Sequence, residues 1–152
     1  MLQTVWYVRL HGDHPAYAWI KLKRQLQDDL NYVAVIVDAR KFMDCYMRDM
    51  QAYVLPPVEQ WEPGKKTGIW KFLNPHLSGV PAMPRVSFAV VERKRLWGLR
   101  PSIYEGVASF TNGRHRSMYM AFAGATSFPV EVHVNQASLL KKYCGIEESH
   151  DA

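Results

Sequence analysis

Cysteine is scarce in this chain of 152 residues, with Cys45 and Cys144 as the two examples. They stand far apart with no metal-like spacing, so a disulfide framework is not expected, and both read as reduced thiols of a cytosolic protein. No stretch approaches the ~18 consecutive apolar residues of a membrane span. The start, MLQTVWYVRLHGDHP, lacks a basic segment followed by a long apolar run, which argues against secretion. Internal repeats and low-complexity tracts are missing too. Nuclease signatures of the DxD, HNH or PD-(D/E)xK kind do not occur. Gly64-Lys65-Lys66-Thr67 resembles the end of a phosphate-binding P-loop, but Glu59 stands where that loop needs its first glycine and no strand leads in.

What is present is ordinary in bulk and uneven in charge. Apolar residues make up 48% and charged residues 22%, which fits one globular core in a chain of this length. Lys and Arg number 19 against 14 acidic residues, a net charge of +5, and this tilts the partners toward polyanions.

Taken in order, Thr4 to Leu22 alternates in two runs around His11-Gly12-Asp13-His14-Pro15 and predicts a hairpin. His11 and His14 can chelate a metal as an H-x-x-H pair, while the proline turn explains the same residues equally well. Tyr32 to Val37, YVAVIV, predicts a buried strand. Asp38 then caps a helix over Ala39 to Met50 with Phe42, Tyr46 and Met50 on one stripe. Val58 to Lys66 reads as a polar loop and Gly68 to Leu77 as a short helix. Val86 to Val91 is a strand, and Glu92 to Pro101 follows as a protruding loop or hairpin. There Arg93, Lys94, Arg95 and Arg100 are placed to hold DNA phosphates while Trp97 offers a stacking face. A Trp97 folded back onto the core is the alternative. A last helix starts near Asn135 or Ser138 and stops at Gly145, before an acidic tail.

The chain is organised around Val107 to Val134, which reads as strand, turn, helix, turn, strand. Thr111 and Asn112 are good N-caps, so the helix should open near Gly113 and end at Gly124. Two strands joined by a helix predict a right-handed crossover. Arg114, His115 and Arg116 then crowd the first helical turn, where the helix dipole already carries about half a positive charge. Free N–H groups, the dipole and two guanidinium groups, both expected at the surface, make an anion site, with phosphate the fitting ligand.

Ser109-Phe110-Thr111-Asn112-Gly113-Arg114-His115-Arg116, with Gly124, Pro129-Val130-Glu131-Val132 and the earlier Met83-Pro84-Arg85-Val86, resembles the ParB/sulfiredoxin superfamily. Within it the segment is most similar to the plasmid fertility inhibition factors of the Osa and FiwA type. The resemblance covers roughly Tyr32 to Gly145. It implies a single α/β domain of ParB/sulfiredoxin type over residues 1–152, a small mixed sheet flanked by helices, with the motif core at 83–134 and the hairpin of residues 4–22 as an extra at its edge. Sulfiredoxin chemistry is excluded, because Arg114 stands where the reactive cysteine would be. A helix-turn-helix domain, which a DNA-loading clamp needs, is not expected either, since the chain ends within about twenty residues of Val134.

The resemblance further implies an ATP-binding ATPase and DNase that blocks conjugative transfer of another plasmid's DNA, or of T-DNA. Thr111, Asn112, Gly113, Arg114, His115 and Arg116 would bind nucleotide or DNA phosphates. His115 and Arg116 are the catalytic candidates from the turn. Glu105 and Glu131 are the nearest carboxylates in sequence, candidates to hold Mg²⁺. The alternative is a non-enzymatic inhibitor that docks on the type IV secretion coupling machinery and uses the turn to bind nucleotide or DNA.

Overall fold

The computed structural model describes residues 4–11, 17–48, 56–76 and 79–146. His14 with its turn, Met50 of the expected first helix, Leu77 and the acidic tail lie outside them.

An antiparallel hairpin of β1 (Trp6–Arg9) and β2 (Trp19–Leu22) opens the fold. Its alternation is the one the sequence predicts: Val8, Leu10, Ile20 and Leu22 are buried, while Tyr7, Arg9, Trp19 and Lys21 face out. Outside, Arg9 lies 5.3 Å from the Trp19 ring and Lys21 lies 6.0 Å from the Tyr7 ring. From β2 the chain bridges across to residues 81–83 through Lys23, whose N–H donates to the Pro81 carbonyl and whose carbonyl accepts from Met83.

Then come β3 (Tyr32–Asp38) and α1 (Ala39–Met47), where the Asp38 carboxylate accepts from Lys41 N–H at 3.0 Å as the expected N-cap. The next helix, α2 (Pro63–Leu73), begins five residues before the expected Gly68, inside what reads as a polar loop. Pro63 suits the first helical position because its missing N–H is needed by no hydrogen bond there. Gly64 and Gly68 suggest a loop by composition, but both sit in the helix with open space around them. Packing of Ile69, Trp70 and Leu73 against the core outweighs their low propensity.

The long strands β4 (Arg85–Arg95) and β5 (Arg100–Asn112) form one antiparallel arm, followed by α3 (Arg114–Phe122), β6 (Ser127–His133) and α4 (Ala137–Cys144). The main sheet runs β3, β6, β4, β5. This corrects the expected crossover. β4 lies between β5 and β6, parallel to β6 and antiparallel to β5, so the strands flanking α3 point opposite ways and the handedness rule for parallel pairs does not apply. β6 is buried along nearly its whole length. Pro129 is tolerated in that central strand because β6 pairs with β4 only at Glu131 and Val132, so the proline interrupts no ladder on that side. Phe42 and Tyr46 of α1 pack edge-to-face on Phe110 and Phe128, with centroids 4.9 to 5.9 Å apart. That aromatic cluster fixes the end of β5 that leads into α3. No helix among the described residues is long and apolar enough to cross a membrane.

Candidate functional site

The boundary between β5 and α3 is sharper than the sequence suggests. Thr111 and Asn112, expected as helix caps, belong to β5, and Gly113 is the junction residue with φ 84°. Strand register explains the difference: Asn112 pairs with Arg85, and its Oδ1 accepts from Arg85 N–H at 3.0 Å and from Gln25 Nε2 at 3.2 Å. Gly113 is required on two counts. Its φ is left-handed, and an added Cβ would come within 2.7 Å of Pro84 Cα and Cβ. The Met83-Pro84 segment is therefore the back wall of the turn.

An α-helix leaves its first N–H groups without intrahelical partners. Its N-cap residue, Gly113, has no side chain to cap α3, and no acidic residue lies in the first turn. Ser117, buried one turn in, donates both its N–H and its Oγ to the Gly113 carbonyl, which fixes the helix start from inside. The first turn thus presents a dipole end carrying three basic side chains and no acidic one.

Glu131, 0% exposed, lies behind this turn. Its own N–H donates to the Pro84 carbonyl at 2.8 Å. Its Oε2 is 2.9 Å from Arg85 Nη2, and its Oε1 accepts from Gln25 N–H and lies 3.9 Å from Arg24 Nε. Arg85 also reaches Asp29 at 3.5 Å and covers the Tyr32 ring at 3.9 Å. Both oxygens of Glu131 are engaged by protein donors, so this carboxylate holds the wall of residues 82–85 against the sheet. Arg24, Gln25 and Asp29 are site residues that sequence reasoning misses. They follow the N-terminal hairpin with no periodicity or motif of their own, so only the tertiary structure brings them here.

The three basic residues of the first turn differ. Arg116 is not at the surface as expected: Nη1 donates to the Ala82 carbonyl, the guanidinium lies 5.8 Å from the Phe72 ring, and burial pulls its pKa below the ordinary value. Arg114 is half-buried beside it. His115 sets its ring edge-on to Trp61 at 5.4 Å, and its buried Nε2 has no hydrogen-bond partner among the described residues. Burial, then the charges of Lys65 and Arg114, lower the His115 pKa, so the imidazole is neutral near pH 7.

Glu105 is not brought to the turn. It sits seven residues upstream of Asn112 on the same strand, about 23 Å away at ~3.3 Å per residue, opposite Val91 and 3.1 Å from Arg93. Among the described residues no group of three or more His, Cys, Asp or Glu is placed to hold a metal. The expected basic loop is the tip of the β4–β5 arm, where every residue from Val91 to Pro101 is exposed. Leu96, Trp97 and Gly98 adopt successive left-handed conformations, and Trp97 is 97% exposed, not folded back.

The family model for plasmid fertility inhibition factors matches residues 34–145, well over half of the chain. A crystal structure of the oncogenic suppression activity protein, described as a plasmid fertility inhibition factor, is similar with a TM-score of 0.57. The match covers 94% of this chain and 70% of that one at 19% identity, and at that identity it shows a shared fold. No curated protein matches the chain.

Proposed function

The chain belongs to the plasmid fertility inhibition factor family, and from that premise we propose that it limits transfer of another plasmid's DNA by binding and hydrolysing phosphate esters and anhydrides at the start of α3. ATP is the proposed nucleotide and DNA the proposed polymer. The observation that carries the reading is the uncapped helix start at Gly113, ringed by Arg114, His115 and Arg116 with no acidic residue in its first turn.

A triphosphate suits this arrangement, since backbone N–H groups and guanidinium groups are donors only and phosphate oxygens are acceptors only. Neither of the two expected carboxylates suits a Mg²⁺ cage at the turn, because Glu131 is engaged on both oxygens and Glu105 is remote. The cation would enter with the nucleotide, as Mg²⁺ commonly does. Negative charge builds on the oxygens around phosphorus during transfer, and Arg114 with the helix start supplies the opposing charge. His115, held neutral by burial and by its cationic neighbours, takes the proton of the attacking water.

A second reading, a binding module that docks on the conjugation machinery without turnover, is favoured by the same commitment of Glu131. Purified protein assayed with ATP and with DNA, across magnesium, manganese and chelator, separates the two. Hydrolysis that His115→Ala slows by ~10²- to 10⁴-fold, with binding little changed, is the expected result. Binding of both ligands with no hydrolysis in any condition assigns the second reading.

A further inference from the structure

Cys45 and Cys144 are read as unrelated thiols in the sequence, but the fold sets their Sγ atoms 3.5 Å apart. Cys45 lies on the inner face of α1 and Cys144 is the last residue of α4; both are buried. Neither has a third His, Cys or carboxylate ligand grouped with it among the described residues. The close approach is built in. An added Cβ at Gly106 would meet the Phe88 ring at 2.5 Å and Cys45 Sγ at 3.2 Å, so glycine at 106 lets β5 pass close over Cys45. Arg48 spans the same corner, donating to the Gly106 carbonyl at 3.2 Å with Nη1 3.6 Å from Cys45 Sγ. A cavity of about 250 Å³, lined by Cys45 with Lys41, Arg48, Tyr104, Glu105 and Tyr143, opens on the Cys45 side. It has room for a small oxidant, and Cys144 is not among its lining residues.

We propose that Cys45 and Cys144 are a peroxide-reactive dithiol, with Cys45 as the attacking sulfur and Cys144 as the resolving one, which closes to an intramolecular disulfide joining α1 to α4. The Cys45 thiolate attacks one oxygen of a hydroperoxide: an S–O bond forms, the O–O bond breaks, and hydroxide or alkoxide leaves. Cys144 sulfur then attacks the sulfenic sulfur of Cys45; the S–S bond forms, the S–O bond breaks, and water departs with the thiol proton. Two thiols are oxidised by two electrons in total and one peroxide is reduced. The local chemistry supports this order. The hydrogen bond from Cys144, with the Arg48 charge, lowers the Cys45 thiol to about 7, while that bond and burial raise Cys144. Closing the pair needs the sulfurs to approach from 3.5 Å to ~2.05 Å across one helix–helix contact.

The test uses wild-type protein treated with hydrogen peroxide, denatured, and alkylated. The expected product has lost two hydrogens in mass, takes up no alkylating reagent, stays monomeric on a non-reducing gel and returns to two free thiols with dithiothreitol. Its melting temperature should rise by about 10 °C, since the crosslink closes a loop of roughly a hundred residues. Cys144→Ser should accumulate a sulfenic acid at Cys45 that dimedone captures, and Cys45→Ser should give none at Cys144. Two alkylatable thiols after peroxide, oxidation of Cys45 to the sulfinic acid with Cys144 still free, or dimedone capture at Cys144 would overturn the proposal.

Discussion

Two groups of cations occupy the two ends of β5, and they are built in opposite ways. At the Asn112 end, Arg116 is pinned to a carbonyl, His115 is set against Trp61, and the turn is backed by Pro84 and the buried Glu131–Arg85 pair. At the Arg100 end, Arg93, Lys94, Arg95 and Arg100 stand around an exposed Trp97 on an arm whose outer half touches no core. A site whose donors are fixed before binding gives up little freedom when a ligand arrives, which suits a small, defined phosphate group. An open arm of exposed cations suits a long polyanion held in many registers. Charge composition alone does not tell these apart; burial does.

The largest effect expected from breaking this comparison is at Glu131. Replacing it with Ala takes the buried carboxylate from Arg24 and leaves Arg85 with the more distant Asp29, and should cost ~3–5 kcal/mol of unfolding free energy in urea. A Glu131→Ala protein of wild-type stability that lacked only turnover would make Glu131 a catalytic carboxylate, and the fixed end would have no structural wall.

Next in size is Arg114→Ala, which removes one charge-assisted interaction worth ~1.5–3 kcal/mol and should weaken nucleotide binding roughly 10- to 100-fold by titration calorimetry. Arg114 is half-buried, so a thermal melt of the variant is run alongside and affinity is compared on folded protein. At the open end, neutralising Arg93, Lys94 and Arg95 should leave nucleotide affinity alone and flatten the salt dependence of DNA binding by ~0.9 in slope for each phosphate that is no longer neutralised. Trp97→Ala should lower affinity for single-stranded oligonucleotides by ~1–3 kcal/mol with no change in melting temperature. An unchanged slope would remove the arm from the DNA interface.

The smallest expected effect is a pH signature of His115. Its folded pKa lies below the unfolded value, so the folded state resists the proton, and the contribution of His115 to stability is fully present above the ordinary histidine range. It should decline as pH falls from that range through the depressed folded pKa. His115→Gln should remove this part of the pH dependence, which thermal melts between pH 5 and 8 would reveal.

Much of this fold can be read from local pattern. The alternation of β1 and β2, the YVAVIV run as a strand, Asp38 as a cap and Gly124 as a stop all act through neighbours in sequence, so their signals are local; that β3 is an edge strand with Ile36 exposed, and not the buried strand expected, is decided by the sheet order. The order β3, β6, β4, β5 is not visible that way, because pairing Arg85 with both Asn112 and Glu131 is decided by tertiary contacts. The same cause hides part of the site. Gly113 to Arg116 form a contiguous motif, whereas Arg24, Gln25 and Asp29 arrive from a separate part of the chain. The helix at Pro63 is disguised by two glycines that usually mark loops, and the Cys45–Cys144 pair by the length of chain between them.

The most direct measurement of the central claim, that the start of α3 is the phosphate site, is nucleotide affinity compared on two folded variants in one buffer. Arg114→Ala should forfeit most of the affinity, and the Arg93, Lys94 and Arg95 triple substitution should keep it. Wild-type affinity in Arg114→Ala, or its disappearance in the arm variant, would place the nucleotide at the other end of β5 and contradict the account.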